Sequence, residues 1–258
     1  MSTDTLIEDV DGRGVVTVTF NRPDKGNAYN QASLDALHEI LARHAAEPST
    51  RVLVLRGAGK HFCAGADLNG HDATAPAPRI TMPGLCLALD NFPKPTIAVV
   101  HGACIGGGLA LAASCDVVIA ARNAFFSLPE VRLGFAPLPL VALLARAIHP
   151  RHLRRYLTSG ERFSAPDALR IGLVHELCEA SESDAAQTKA VAAFLEAAPL
   201  AASNVKRTLL SHSGEGVTED LLAKLQAEFR RGADSAEANE GRAAFREKRK
   251  PSWTPKPD

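Results

Sequence analysis

Short β-branched apolar runs dominate the first half of this 258-residue chain, and helical spacing dominates the second. Val15–Phe20 (VVTVTF) reads as a strand, and the turn residues Asp11-Gly12-Arg13-Gly14 join it to Thr5–Val10 as a hairpin. Leu34, Leu37, Ile40 and Leu41 keep the spacing of one helix face. Arg51–Arg56 and Thr96–Val100 read as buried strands, and Val117–Ala120 and Phe125–Leu128 as two more. A helix is predicted over 80–91, and Leu109-Ala110-Leu111-Ala112-Ala113 is a run of strong helix formers. Asn21–Asn30 and Gly57–Gly65 read as loops, with Ala66-Asp67-Leu68 as a short helix start and Gly70–Pro83 as an aperiodic loop. From Leu138 onward the spacing predicts only helices, over 140–148, 151–158, 165–171, 183–197, 199–211, 217–231 and 235–246. Strands interleaved with helices early, then helices alone, predict an α/β core with a helical C-terminal part.

Ile105-Gly106-Gly107-Gly108 stands between a predicted strand and a predicted helix. Glycines at a helix start leave unpaired N–H groups with no Cβ in the way of a ligand. The helix dipole adds positive character at the same place. Such a turn suits an anion, or an oxygen that becomes one. A second glycine-containing loop, His61-Phe62-Cys63-Ala64-Gly65-Ala66-Asp67-Leu68, also follows a strand. Two such loops can each offer one N–H to the same oxygen, the minimum for holding an enolate or a tetrahedral intermediate. A third segment, Ser127-Leu128-Pro129-Glu130-Val131-Arg132-Leu133-Gly134, places Glu130 among apolar residues just past a strand. Desolvation there raises a carboxyl pKa and suits acid–base work.

Composition narrows the classes. Lys plus Arg number 29 and Asp plus Glu 29, a neutral balance that argues against a general nucleic-acid binder. Cys63, Cys86, Cys104, Cys115 and Cys178 form an odd, widely spaced set with no CxxC pair. That argues against a disulfide scaffold or a zinc finger and fits a reducing, cytoplasmic setting. The first ten residues lack the apolar core of a signal peptide, and no run has the length of a membrane span. No GxGxxG follows the first strand and no Lys-Ser/Thr follows Gly106–Gly108, so nucleotide-binding readings fail. His149 and His152 flank Pro150 and have no evident third partner, so no metal is expected. The bland readings are tight packing of a helix on a strand for Gly106–Gly108 and a turn-capping carboxylate for Glu130.

The three segments, in this order, resemble the enoyl-CoA hydratase/isomerase (crotonase) superfamily. Asn21-Arg22-Pro23-Asp24-Lys25-Gly26-Asn27-Ala28 and the terminal Phe245-Arg246-Glu247-Lys248-Arg249-Lys250 resemble it too, so the likeness spans nearly the whole chain. It implies the crotonase, or ClpP-like, spiral of ββα units over residues 1–196, and a helical trimerisation region over 197–258. Homotrimers, paired into hexamers in many members, are implied, as is an acyl-CoA substrate. No resident cofactor or metal is implied, because CoA enters as part of the substrate; neither a nucleic acid nor a membrane is an expected partner. Carried over position by position, the oxyanion-hole N–H groups fall on Ala66 and Gly107, and the catalytic acid on Glu130. Lys25, Ala28, Ala64, Asp67, Leu68 and Gly106 line the expected substrate site, and Phe245 and Lys248 approach the CoA.

One position departs from the pattern. Two-acid hydratases of the family carry a glutamate where this chain has Ala110. Three residues past Gly107, an acid there would share its helix face. Glu130 is then left to move the proton alone, in a syn addition of water or in migration of a double bond. The Pro129–Pro137 segment and the Gly-Gly-Gly-Leu-Ala run look most like single-acid hydratases of the 3-methylglutaconyl-CoA type. Hydration is the favoured expectation. Δ3-Δ2-enoyl-CoA isomerisation is the alternative, followed by thioester hydrolysis or decarboxylation and by an inactive acyl-CoA binder.

Overall fold

Alternation of buried and partly exposed residues makes Val15–Phe20 a strand with one fully buried face. The computed structural model describes residues 5–67, 79–212 and 214–255. β1 (Leu6–Val10) and β2 (Val15–Phe20) form the expected antiparallel hairpin. α1 (Gln31–Ala46) starts where the Asn30 side chain accepts the Ser33 N–H, and it buries Leu34, Leu37, Ile40 and Leu41. β3 (Val52–Gly57), α2 (Met82–Asp90) and β4 (Thr96–Val100) follow. β5 (Ala103–Ile105) leads directly into α3 (Gly107–Ala113), then β6 (Val117–Ala121) and β7 (Phe125–Ser127).

Seven further helices fall close to the expected ranges. α4 is Leu138–Ala147, α5 Pro150–Ser159, α6 Ala165–Arg170 and α7 Ser183–Glu196. α8 (Pro199–His212), α9 (Glu219–Ala233) and α10 (Ala236–Glu247) complete them. The expectation of helices alone after Leu138 fails twice. β8 (Phe163–Ser164) pairs antiparallel with β7, and β9 (Glu176–Cys178) pairs parallel with β6. Segments of two or three residues carry no legible alternation, and long-range pairing decides their state.

The main sheet runs β1-β2-β3-β4-β6-β9, parallel after the first pair, and a smaller sheet runs β5-β7-β8. β4 and β6 belong to the large sheet, and the strand after each, β5 and β7, belongs to the small one. This repeated strand–strand–helix path is the expected crotonase spiral. α1, α2, α3 and α4 pack side by side in succession. Leu37, Leu53, Leu55, Phe62, Leu85, Leu89, Leu109 and Leu111 are fully buried beneath and between them. This apolar mass holds the short turns at the ends of β3 and β5 in place.

The chain divides into two compact units, Met1–Ala190 and Val191–Asp258. In the second, Glu237 accepts the Leu200 and Ala201 N–H groups at 2.9 Å each, which fastens α10 to the first turn of α8. Arg249 bridges Glu240 and Glu247 at 2.6 and 2.7 Å. Leu200, Val205, Leu209, Leu222, Phe229 and Phe245 leave large apolar side chains exposed on this unit. Among the described residues, no helix is long and apolar enough to cross a membrane.

Candidate active site

The loop after β3 is held on both sides. On one side Cys63 N–H donates to Ala103 O at 3.0 Å and Ile105 N–H donates to Cys63 O at 2.9 Å, alongside β5. On the other, Ala64 N–H donates to Gly26 O at 3.0 Å, and Tyr29 N–H to Gly65 O at 2.9 Å. Asp67 N–H then donates to Tyr29 O at 2.9 Å. Ala66 therefore lies in a parallel bridge opposite Tyr29. The helix start expected at 66–67 is absent: pairing with the Gly26–Tyr29 segment extends it, and Leu68 lies outside the described residues.

Gly106 is the corner where β5 becomes α3. Its φ of 58° and ψ of −124° suit only glycine, and its N–H donates to Ser127 O at 2.9 Å. A Cβ here would come within 2.7 Å of Glu130 Oε1 and 3.7 Å of the Gly65 Cα. One corner thus brings the loop glycine, the turn glycine and the carboxylate together. Among the described residues, the N–H groups of Ala66 and Gly107 donate to no backbone oxygen. The strand-to-helix turn leaves the second donor open because the first N–H groups of a helix have no partner within it.

Glu130 is carried by a 3-10 turn, Pro129–Leu133, that follows β7 and ends at Gly134 in the left-handed conformation. Its backbone oxygen accepts the Phe135 N–H at 3.0 Å, which fixes the turn. Its Oε2 is buried and finds no hydrogen-bond partner among the described residues. Desolvation pushes its pKa above the ordinary carboxylate value, and its own backbone N–H offsets this in part. A buried carboxylate oxygen without a partner costs free energy, so a purely structural role explains it poorly.

The remaining expected residues divide. Lys25 sits exposed at the end of a 3-10 turn, Pro23–Lys25, and Ala28 follows it. Asp67 is bound by Arg22, whose Nη2 lies 2.7 Å from Oδ2 while its Nη1 donates to Ala28 O at 2.6 Å. This arginine ties the first loop to the second. Asn27 supports the same junction: its buried amide donates to Ala58 O and His61 O, and its Oδ1 accepts the Arg22 N–H. Phe245 and Lys248 are exposed in the second unit, with Lys248 closing α10 in the left-handed conformation. Arg22, Asn27 and Tyr29 carry no local signal of these roles, because each acts through partners far along the chain.

Other candidates take structural parts. Asp116 accepts both the Thr96 N–H at 2.8 Å and its hydroxyl at 2.9 Å, joining the starts of β4 and β6. His61 Nδ1 accepts the Ala103 N–H at 3.0 Å. His149 caps α5 by accepting the Arg151 N–H. Ala110 is fully buried in α3.

Comparison with known proteins identifies the family. The family model for enoyl-CoA hydratase/isomerase matches residues 11–256. The mevalonyl-coenzyme A hydratase of Aspergillus fumigatus is 33% identical, with 93% of this chain and 92% of that protein covered. The 1,2-epoxyphenylacetyl-CoA isomerase of Escherichia coli is 35% identical, over 95% of this chain and 96% of its own. The crystal structure of an enoyl-CoA hydratase from Shewanella pealeana superposes with a TM-score of 0.90 at 34% identity, covering 96% of each chain. On the family match over residues 11–256 and the likeness to these proteins over nearly their whole length, the chain belongs to the enoyl-CoA hydratase/isomerase family, the crotonase superfamily, and is an enzyme of that family.

Proposed function

We propose that this enzyme adds water across the α,β double bond of an acyl-CoA thioester, with Glu130 as its single acid–base group. The observation that carries this reading is the buried Oε2 of Glu130 beside the Gly106 corner, which has no hydrogen-bond partner among the described residues. Ala66 N–H and Gly107 N–H hold the thioester oxygen. Glu130 takes a proton from water as its oxygen bonds to Cβ. The π electrons move onto the thioester oxygen, forming an enolate. Glu130 then returns the proton to Cα on the same face. Each amide donor lowers the barrier by about 3 kcal/mol, in line with other oxyanion donors. Ala110 contributes no proton. Lys25, Ala28, Ala64 and Asp67 line the thioester and CoA path in this reading.

Hydration is preferred to isomerisation on the likeness of the Pro129–Pro137 segment and the Gly-Gly-Gly-Leu-Ala run to single-acid hydratases. The narrower likeness to 3-methylglutaconyl-CoA hydratases belongs to the proposal alone. The exposed apolar residues of α8–α10 support a homotrimer or hexamer built through that unit. Five cysteines outside any disulfide support a cytoplasmic setting. CoA enters as part of the substrate, and the chemistry needs no resident cofactor.

Mixing the enzyme with crotonyl-CoA or 3-methylglutaconyl-CoA tests the reaction. Hydration bleaches the conjugated thioester absorbance. New absorbance from a 3-enoyl-CoA would instead identify an isomerase, and release of free thiol a hydrolase. The pH profile tests the base. Glu130 must be ionised to take the proton, and burial raises its pKa, so activity falls as pH drops through a value above the ordinary carboxylate range of about 4.3. An acid limb of kcat/KM at or below that range contradicts the assignment.

A further inference from the structure

Tyr29 meets two parts of the site and stands in the electrostatic field of the third. Its backbone grips the second loop on either side of Ala66, through Gly65 O and Asp67 N–H, both at 2.9 Å. Its ring then reaches the glycine corner. A Cβ on Gly107 would meet Tyr29 Cε1 at 2.6 Å and Tyr29 Oη at 2.7 Å, with Met82 Cε at 2.9 Å behind them. Gly107 and Ala110 lie on one face of α3, and the phenol covers the Gly107 end of that face. The ring is largely buried and its hydroxyl lies in the electrostatic field of Glu130. No hydrogen bond from that hydroxyl to another described residue is present.

The site therefore holds a donor and an acceptor that do not satisfy each other. Burial keeps the phenol in its neutral, donating form, with Cys63, Glu130 and Cys86 adding to the effect. Glu130 Oε2 is an acceptor without a partner among the described residues. A group that satisfies both must accept one hydrogen bond and donate another, as water and an alcohol do. A thioester carbonyl can only accept, and a methylene does neither.

Resting on the hydration reading above, we propose that the Tyr29 hydroxyl contacts the substrate, donating a hydrogen bond to the oxygen on Cβ while Glu130 accepts from that same oxygen. In the forward direction that oxygen is the attacking water, and in reverse it is the β-hydroxyl that leaves. Tyr29 transfers no proton. The water proton passes to Glu130 and then to Cα, and the C–O bond forms at Cβ. The phenol fixes where the oxygen stands and thereby selects 3-hydroxyacyl over unsubstituted acyl thioesters.

Calorimetry in a Glu130→Gln background tests this without turnover, because glutamine keeps an acceptor oxygen. 3-Hydroxybutyryl-CoA is expected to bind about ten- to hundredfold more tightly than butyryl-CoA, the worth of two added hydrogen bonds, one from Tyr29 and one to residue 130. Adding Tyr29→Phe removes the first of these and is expected to cut the preference by about five- to tenfold. A preference left undiminished by Tyr29→Phe overturns the inference, as do equal affinities before Tyr29 is altered, and both leave the site itself standing. Failure of either ligand to bind overturns the site reading, and the inference with it. Tyr29→Leu removes the same hydroxyl should the phenylalanine variant not fold.

Discussion

Replacing Glu130 by glutamine is expected to lower kcat for crotonyl-CoA hydration by about 10²–10⁴-fold, the range contributed by a general acid–base group. Glutamine keeps the shape and a hydrogen-bonding oxygen but cannot accept the proton from water. KM for the thioester is expected to stay within a few fold, because the proposed carbonyl donors are main-chain amides the substitution does not touch. Stability should not fall. Glu130 Oε2 has no partner among the described residues, and ionising it in the folded chain is already disfavoured. Steady-state kinetics together with thermal unfolding check both halves. A variant that turns over at the parent rate, or one that has lost its fold, removes the proposed base.

Gly106→Ala is expected to have the second largest effect, by a different route. The backbone conformation at this corner strains any residue with a Cβ, at a cost of about 1–3 kcal/mol. The new methyl would also press on Glu130 Oε1, 2.7 Å from the Cβ position. Because an exact stance matters for proton transfer, kcat should fall by at least about tenfold even where the fold survives. Tm should fall by several degrees, following the usual conversion of about 2–4 °C per kcal/mol for a chain of this size. Gly214→Ala makes a useful comparison, since a Cβ there meets nothing within 4 Å although φ is +95°. It should cost stability alone. Equal catalytic losses in the two variants would show that the Gly106 corner does not set the carboxylate.

The features legible in the sequence are those whose cause is local. The β1–β2 hairpin announces itself through Asp11–Gly14, and α1 through Leu34, Leu37, Ile40 and Leu41. Gly106–Gly108 between β-branched residues and an alanine-rich run marks a turn that needs close approach, and Glu130 among apolar neighbours marks a carboxyl short of water. The features that escaped have distant causes. β8 and β9 exist because β7 and β6 offer them hydrogen bonds. Ala66 is extended because Tyr29, far earlier in the chain, pairs with it. Asp67 reads as part of a helix start in the sequence and is held by Arg22 in the fold. Tyr29 itself reads as an ordinary loop aromatic until its ring is seen against Gly107.

The most direct measurement is a crystal structure with butyryl-CoA bound, a saturated thioester that cannot be hydrated. The expected complex places the thioester oxygen about 3 Å from both Ala66 N and Gly107 N, with the Glu130 carboxylate facing Cα and Cβ. A carbonyl held elsewhere, or a Glu130 side chain turned to solvent in that complex, would contradict the account at its centre.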